Sequence, residues 1–112
     1  MPQADDDTTE IGLSTEWAGV AVASTAAECA RFDTALMSGE LLPPAQLREM
    51  RATVAEGPVT KNRYGLGLEQ VVTPCGTVWG HVGQAPGYSS QDYTDTTGRH
   101  SGSVFTHPPS SA

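Results

Sequence analysis

Lysine is almost absent from this chain. Lys61 is the only one in 112 residues, and with five arginines it faces 13 carboxylates, for a net charge of −7. Five of the six cations (Arg31, Arg48, Arg51, Lys61, Arg63) lie between residues 31 and 63, so no basic stripe exists to displace counterions from phosphates. Nucleic-acid binding is therefore not expected. Large core residues are scarce too. Seven Leu, one Ile, nine Val and two Phe make 19 of 112, about 17%, below the roughly 20% under which a charged chain tends to disorder. Alanine and glycine fill part of the apolar total but bury little area each. The composition fits one small, weakly stabilised domain, or part of a larger one whose remaining core lies elsewhere; the second reading fits better.

Long hydrophobic runs are missing as well. The longest, Trp17 to Ala23, has seven residues against the roughly 20 that span a bilayer, so no membrane partner is expected. The N-terminus lacks the basic start and apolar stretch of a secretory signal, and the compartment stays undetermined. Only two cysteines occur, Cys29 and Cys75, without CxxC spacing. They allow one disulfide at most, or serve as two small buried hydrophobes, and they give no ground for a metal or redox site. No cofactor is implied.

What is present sorts into three parts. Asp5, Asp6, Asp7, Glu10 and Glu16 make residues 1–16 an acidic, solvated N-terminus expected to be disordered. Residues 17–105 carry the folding signals, and 106–112 form a polar, proline-bearing tail. Trp17 to Ala23 reads as a buried strand or tight packing segment. Thr25 and Glu28 then read as a capping box, each satisfying the other's backbone, ahead of a helix with Cys29, Phe32 and Leu36 on one apolar stripe. Gly39 ends that helix. Pro44 suits the first turn of a second, whose apolar face is Leu47, Met50 and Val54 and whose end is Gly57-Pro58. Tyr64 to Val72 reads as a strand, Thr73-Pro74-Cys75-Gly76 as a turn, and Thr77 to His81 as the returning strand. Another strand starts at Tyr88, Asp95 to Gly98 turns the chain, and Val104-Phe105 closes the series. The expectation is an α+β fold: two helices, then a three- to four-strand antiparallel meander.

Candidate chemistry concentrates between Trp79 and Tyr88. Glycines at 80, 83 and 87 permit close backbone approach around His81 and suggest a strand edge against which a ligand or a partner chain is laid. Elsewhere the chain offers little. No Gly-x-Ser-x-Gly elbow occurs, and the residue three before Lys61 is Pro58, which excludes a Ser-x-x-Lys nucleophile within this sequence. His81, His100 and His107 lack metal-ligand spacing. Gly65-x-Gly67 has neither the third glycine nor the helix of a phosphate loop. Tyr88-Ser89-Ser90 reads as a strand tyrosine rather than a catalytic tyrosine motif, and Trp79 and Tyr93 as sheet packing rather than a pocket lining.

Several segments together resemble the serine β-lactamase-like hydrolases, which include class C β-lactamases, D-alanyl-D-alanine carboxypeptidases and related esterases. They are Ala18-Gly19 with Ser24-Thr25-Ala26-Ala27-Glu28 and Arg31-Phe32, then Leu41-Leu42-Pro43-Pro44-x-x-Leu47-x-x-Met50, then Tyr64-Gly65-Leu66-Gly67-Leu68. The most specific is Gly80-His81-Val82-Gly83-x-x-Pro86-Gly87-Tyr88, which looks like that family's His-x-Gly version of its Lys-Thr-Gly motif. The resemblance covers about residues 17 to 98.

It implies a partial β-lactamase/transpeptidase-like domain in which His81, Val82, Gly83 and Gln84 form a substrate-binding and oxyanion wall. His81 would face the substrate carboxylate, Gly83 would let the substrate backbone approach, and the Gln84 N–H would be one of two oxyanion donors. Val82 departs from the family's usual Thr or Ser, and Asp92 stands where a small or apolar residue is expected. No catalytic residue is carried over, because the family's serine, lysine and tyrosine motifs would precede residue 1. The chain is thus expected to be a catalytically silent C-terminal part of an enzyme that hydrolyses a peptide, ester or β-lactam carbonyl. Its partners would be that small molecule, the missing N-terminal part, or a second copy. The alternatives are a non-catalytic α+β module pairing through its strand edge, and a truncated reading frame without selected function.

Overall fold

Thr25 starts the first helix. Its hydroxyl accepts from the Glu28 N–H at 3.1 Å and leads into α1 (Ala26–Met37). The return half of the expected capping box is replaced: Glu28 receives the Ser24 hydroxyl at 3.3 Å. The computed structural model describes residues 22–85 and 87–107. The expectations for residues 1–21, for Pro86 and for 108–112 fall outside the described residues.

Gly39 terminates α1 as expected, at φ +87°. Gly39 N–H bonds to Leu36 C=O at 3.3 Å and Glu40 N–H to Ala35 C=O at 2.9 Å, the paired closure that satisfies a helix's last carbonyls. The buried stripe of α1 differs from expectation. Leu36 and Met37 are buried, but Phe32 is 58% exposed and Asp33 is buried in its place. The helix sits rotated so that positions 33, 36 and 37, not 29, 32 and 36, face the sheet.

Pro44 opens α2 (Pro44–Met50), which ends earlier than the sequence suggests. Val54 belongs to β1 (Val54–Ala55) and pairs with Tyr64 of β2 (Arg63–Tyr64). The expected strand over residues 64–72 likewise divides, into β2 and β3 (Glu69–Thr73). Between them Gly65 lies so close to α2 that a Cβ would fall 2.1 Å from the Met50 carbonyl oxygen. The Leu66 N–H bonds to that same oxygen at 3.0 Å, which breaks the strand.

Then follow β4 (Gly76–Ala85), β5 (Tyr88–Asp95) and β6 (Ser101–Thr106). The six strands form one antiparallel sheet in chain order, β1-β2-β3-β4-β5-β6. This is the expected α+β meander, with two short strands added ahead of it. The β5–β6 turn is held by Asp95, whose Oδ1 accepts from the Thr97 and Arg99 N–H groups at 3.0 Å each. The His100 ring, then these donors, hold the Asp95 carboxyl well below the usual carboxylate range.

Helix α1 packs on β5 and β6, and the Thr34 hydroxyl reaches Ser101 Oγ at 3.1 Å. The core is small: Leu36, Met37, Leu47, Leu68 and Trp79, with Leu42 and Met50 packed against it. Arg51 lies 5.2 Å over the Trp79 ring. Both cysteines are free, and Cys75 is exposed, so they are neither a disulfide nor a buried pair.

Candidate functional site

The register of β4 explains what its glycines do. The strand pairs with β3 from Gly76 to Gly80 and with β5 from Val78 to Ala85. Residues 81–85 therefore have β5 on one side and no strand on the other among the described residues. The Trp79–Tyr88 stretch is a full edge in no part, and a half-edge beyond Gly80. Gly80 itself approaches protein rather than a free ligand face: a Cβ there would fall 1.7 Å from the Asp92 carbonyl oxygen. At Gly83 a Cβ would meet only the Ser90 hydroxyl, 2.7 Å away. Gly87 supplies the positive φ, +84°, of the β4–β5 turn.

Which groups line the half-edge follows from the hairpins. Two residues separate the paired positions Thr73 and Gly76, and two separate Ala85 and Tyr88. Such a hairpin closes on a pair that exchanges both backbone hydrogen bonds, and the direction then alternates along the strand. Gly76, Val78 and Gly80 thus address β3, while Trp79, His81, Gly83 and Ala85 address β5. Val82 and Gln84 point their N–H and C=O into the space past the end of β3. The four residues expected to form a wall, His81, Val82, Gly83 and Gln84, are consecutive on this segment, with Val82 47% exposed.

The His81 ring lies along the same half-edge. Its Nδ1 contacts the Val82 carbonyl oxygen, and its Nε2 is 2.8 Å from the Tyr64 hydroxyl. The Tyr64 ring meets the imidazole edge-on, with centroids 5.7 Å apart. Next to this pair the Tyr93 hydroxyl donates to Glu69 Oε1 at 3.0 Å. Burial, then Glu69, pushes the Tyr93 phenol up to about 12. Glu56 shares a hydrogen bond with Glu69, which raises its carboxyl pKa, while the nearby His81 acts in the opposite direction.

Behind the wall, Asp92 is the β5 partner of His81 and lies under α1 near Asp33. Burial, then the Asp92 charge, pushes Asp33 up to about 6. Asp33 Oδ2, Asp92 Oδ1 and Ser103 Oγ are buried without a hydrogen-bond partner among the described residues. A cleft of about 480 Å³ between α1 and the sheet includes Asp33, Asp92, Gly80 and His81 in its lining, with Phe32, Leu36, Met50 and Leu68 as apolar walls. No group of three or more His, Cys, Asp or Glu among the described residues could hold a metal ion.

Tyr64, Glu56, Glu69 and Asp33 are not among the sequence-derived candidates. Glu56 and Glu69 meet only because β1, β2 and β3 fold as consecutive hairpins. The one sequence signal for that was Asn62-Arg63-Tyr64 following a Gly-Pro turn, and a helix reading through Val54 hides it.

Two helices with a six-strand antiparallel open sheet match the β-lactamase-like fold. No family model matches the chain. Among solved structures it is similar to a D-stereospecific amidohydrolase from Streptomyces sp., at 37% identity and a TM-score of 0.71 over 73% of this chain and 25% of that one. It is also similar to the D-amino acid amidase from Ochrobactrum anthropi SV3, solved with D-phenylalanine, at 26% identity and a TM-score of 0.64 over 76% of this chain and 29% of that one. Both neighbours belong to the penicillin-recognising, β-lactamase-like serine hydrolase superfamily. The chain spans about a quarter of the length of these structures.

Proposed function

We propose that this chain is the substrate-wall portion of a β-lactamase-like serine hydrolase, in which a serine supplied by other sequence is acylated by a peptide, ester or lactam carbonyl. The observation that carries the reading is the half-edge of β4 from His81 to Ala85, where Val82 and Gln84 address open space. A substrate backbone laid there would pair with Val82, and the Gln84 N–H would face the carbonyl oxygen as charge develops on it. One such donor is worth about 2.7–4 kcal/mol of barrier. Val82 brings no hydroxyl to the substrate, so recognition at that position rests on its backbone. By itself the chain should turn over nothing. The purified chain is incubated with a chromogenic ester; a burst of product abolished by a serine-directed acylating probe would overturn this division of labour.

The same half-edge favours one second reading, a non-catalytic module that adds a partner strand at Val82 and Gln84. Sedimentation across a hundredfold concentration range separates the two, because strand addition between copies gives a mass that grows with concentration.

A further inference from the structure

The corner formed by Tyr64 and His81 has a definite polarity. A carbonyl oxygen only accepts, so the His81 Nδ1 against Val82 C=O carries a proton. Nε2 of the neutral ring is then an acceptor, and the Tyr64 hydroxyl at 2.8 Å donates to it. Both ring nitrogens are engaged, and what the pair still offers is a lone pair on the Tyr64 oxygen. Glu56 and Glu69 stand beside it, joined by their own hydrogen bond. The nearest cations are committed elsewhere. Arg63 donates from Nε and Nη2 to Thr53 at 2.9 Å each, and Arg51 lies over Trp79.

From this juxtaposition of an acceptor-only hydroxyl with two carboxyls we infer that the wall selects ligands presenting an ammonium group to the Tyr64–His81 corner and rejects those presenting a carboxylate there. The inference rests on β4 being a substrate wall, and it reverses the carboxylate-facing role that the sequence resemblance implied for His81. A ligand ammonium donates to the Tyr64 oxygen within the field of Glu56 and Glu69, a charge-assisted contact roughly twice as strong as a neutral one. A carboxylate at the same place meets lone pairs and like charge, with no N–H to receive it. Tyr64 acts here as a positioning residue: it fixes the tautomer and tilt of His81 as well as supplying the acceptor.

The test is a titration of the ¹⁵N-labelled full chain with three probes: D-phenylalanine amide, its uncharged N-acetyl derivative, and N-acetyl-D-phenylalanine. Amide shifts of Gly83 and Gln84 are followed. The free-amine amide should bind about tenfold more tightly than the carboxylate, with the uncharged amide between them. Equal or tighter binding of the carboxylate at the same residues would overturn the ammonium inference and leave the wall reading standing. Silence of Gly83 and Gln84 with all three probes would overturn the wall reading and the inference with it. On the unliganded chain, the His81 ring ¹⁵N shifts should report the Nδ1–H tautomer; the Nε2–H form overturns the argument without any ligand. In Tyr64→Phe the preference should fall to about threefold and the tautomers should mix, and a variant indistinguishable from wild type removes Tyr64 from the account. Should that variant not fold, the wild-type ranking and tautomer still decide.

Discussion

The two halves of β4 have the same backbone conformation and opposite surroundings. Gly76 to Gly80 has a strand on each side and ends on Trp79, 5% exposed and a centre of the core. His81 to Ala85 has a strand on one side, and Val82 there is 47% exposed. The difference comes from β3, which begins at Glu69 because Gly65 and Leu66 are held against α2. The anchored half fixes the position of the open half, and the open half can present its amides because another strand is kept away. A small domain with few large apolar residues concentrates its packing at one end of the strand and leaves the other end free for contact.

Core truncation should break this comparison most sharply. Trp79→Ala is expected to cost about 3–5 kcal/mol, close to the whole stability of a small domain at the low end of the usual range. Val82→Ala, three residues along, should stay within about 0.5 kcal/mol. Urea unfolding followed by circular dichroism measures both, and similar costs at the two positions would remove the asymmetry. Gly80→Ala comes next. The added methyl would sit 1.7 Å from the Asp92 carbonyl, which is backbone and cannot rotate aside. An expected loss of about 3 kcal/mol, at the upper end of ordinary overpacking, should appear as a lowered urea midpoint.

A smaller effect is expected from Asp33, under α1 and behind the open half. Its folded pKa of about 6 lies above the model value of 3.8. The protonated form is thus favoured by folding. The contribution is fully present below about pH 4 and is lost as pH rises through 6. Asp33→Asn should match wild type near pH 4 and become about 1–2 kcal/mol more stable by pH 7, after allowance for partial solvent screening. A stability difference that does not change with pH would mean the carboxyl is as well solvated as in the unfolded chain. Asp95 responds in the opposite sense. Its depressed pKa gives stability that is lost as pH falls, so the two are separable in one pH series.

The sequence made the order of elements legible wherever a local device dictated it. The Thr25 cap, the Gly39 terminator, Pro44 at a helix start and the turn at residues 73–76 are all local, and each sits where it was read. Tertiary packing decided the rest. The rotation of α1 that buries Asp33 and exposes Phe32 is set by β5 and β6, some sixty residues later. The division at residues 65–68 depends on the Met50 carbonyl, which no window of sequence around Gly65 contains. The site was half legible for the same reason. His81 to Gln84 form a contiguous motif, whereas Tyr64, Glu56 and Glu69 join it only through strand register.

The smallest effect on stability, and the finest test of the open half, is expected at Gly83. Its φ is not positive, so alanine there carries no backbone penalty. The only atom a Cβ would crowd is Ser90 Oγ at 2.7 Å, the end of a side chain that can turn to another rotamer. Gly83→Ala should therefore cost about 1 kcal/mol or less, against about 3 for the same change at Gly80. In a Ser90→Ala background that cost should vanish, because the crowded oxygen is gone; a cycle of the two single variants and the double variant measures the coupling. The same methyl stands between the N–H groups of Val82 and Gln84, where a ligand backbone would lie. If β4 is a substrate wall, Gly83→Ala should weaken the D-phenylalanine amide titration far more than it weakens the fold, and restoring stability with Ser90→Ala should leave the ligand defect in place.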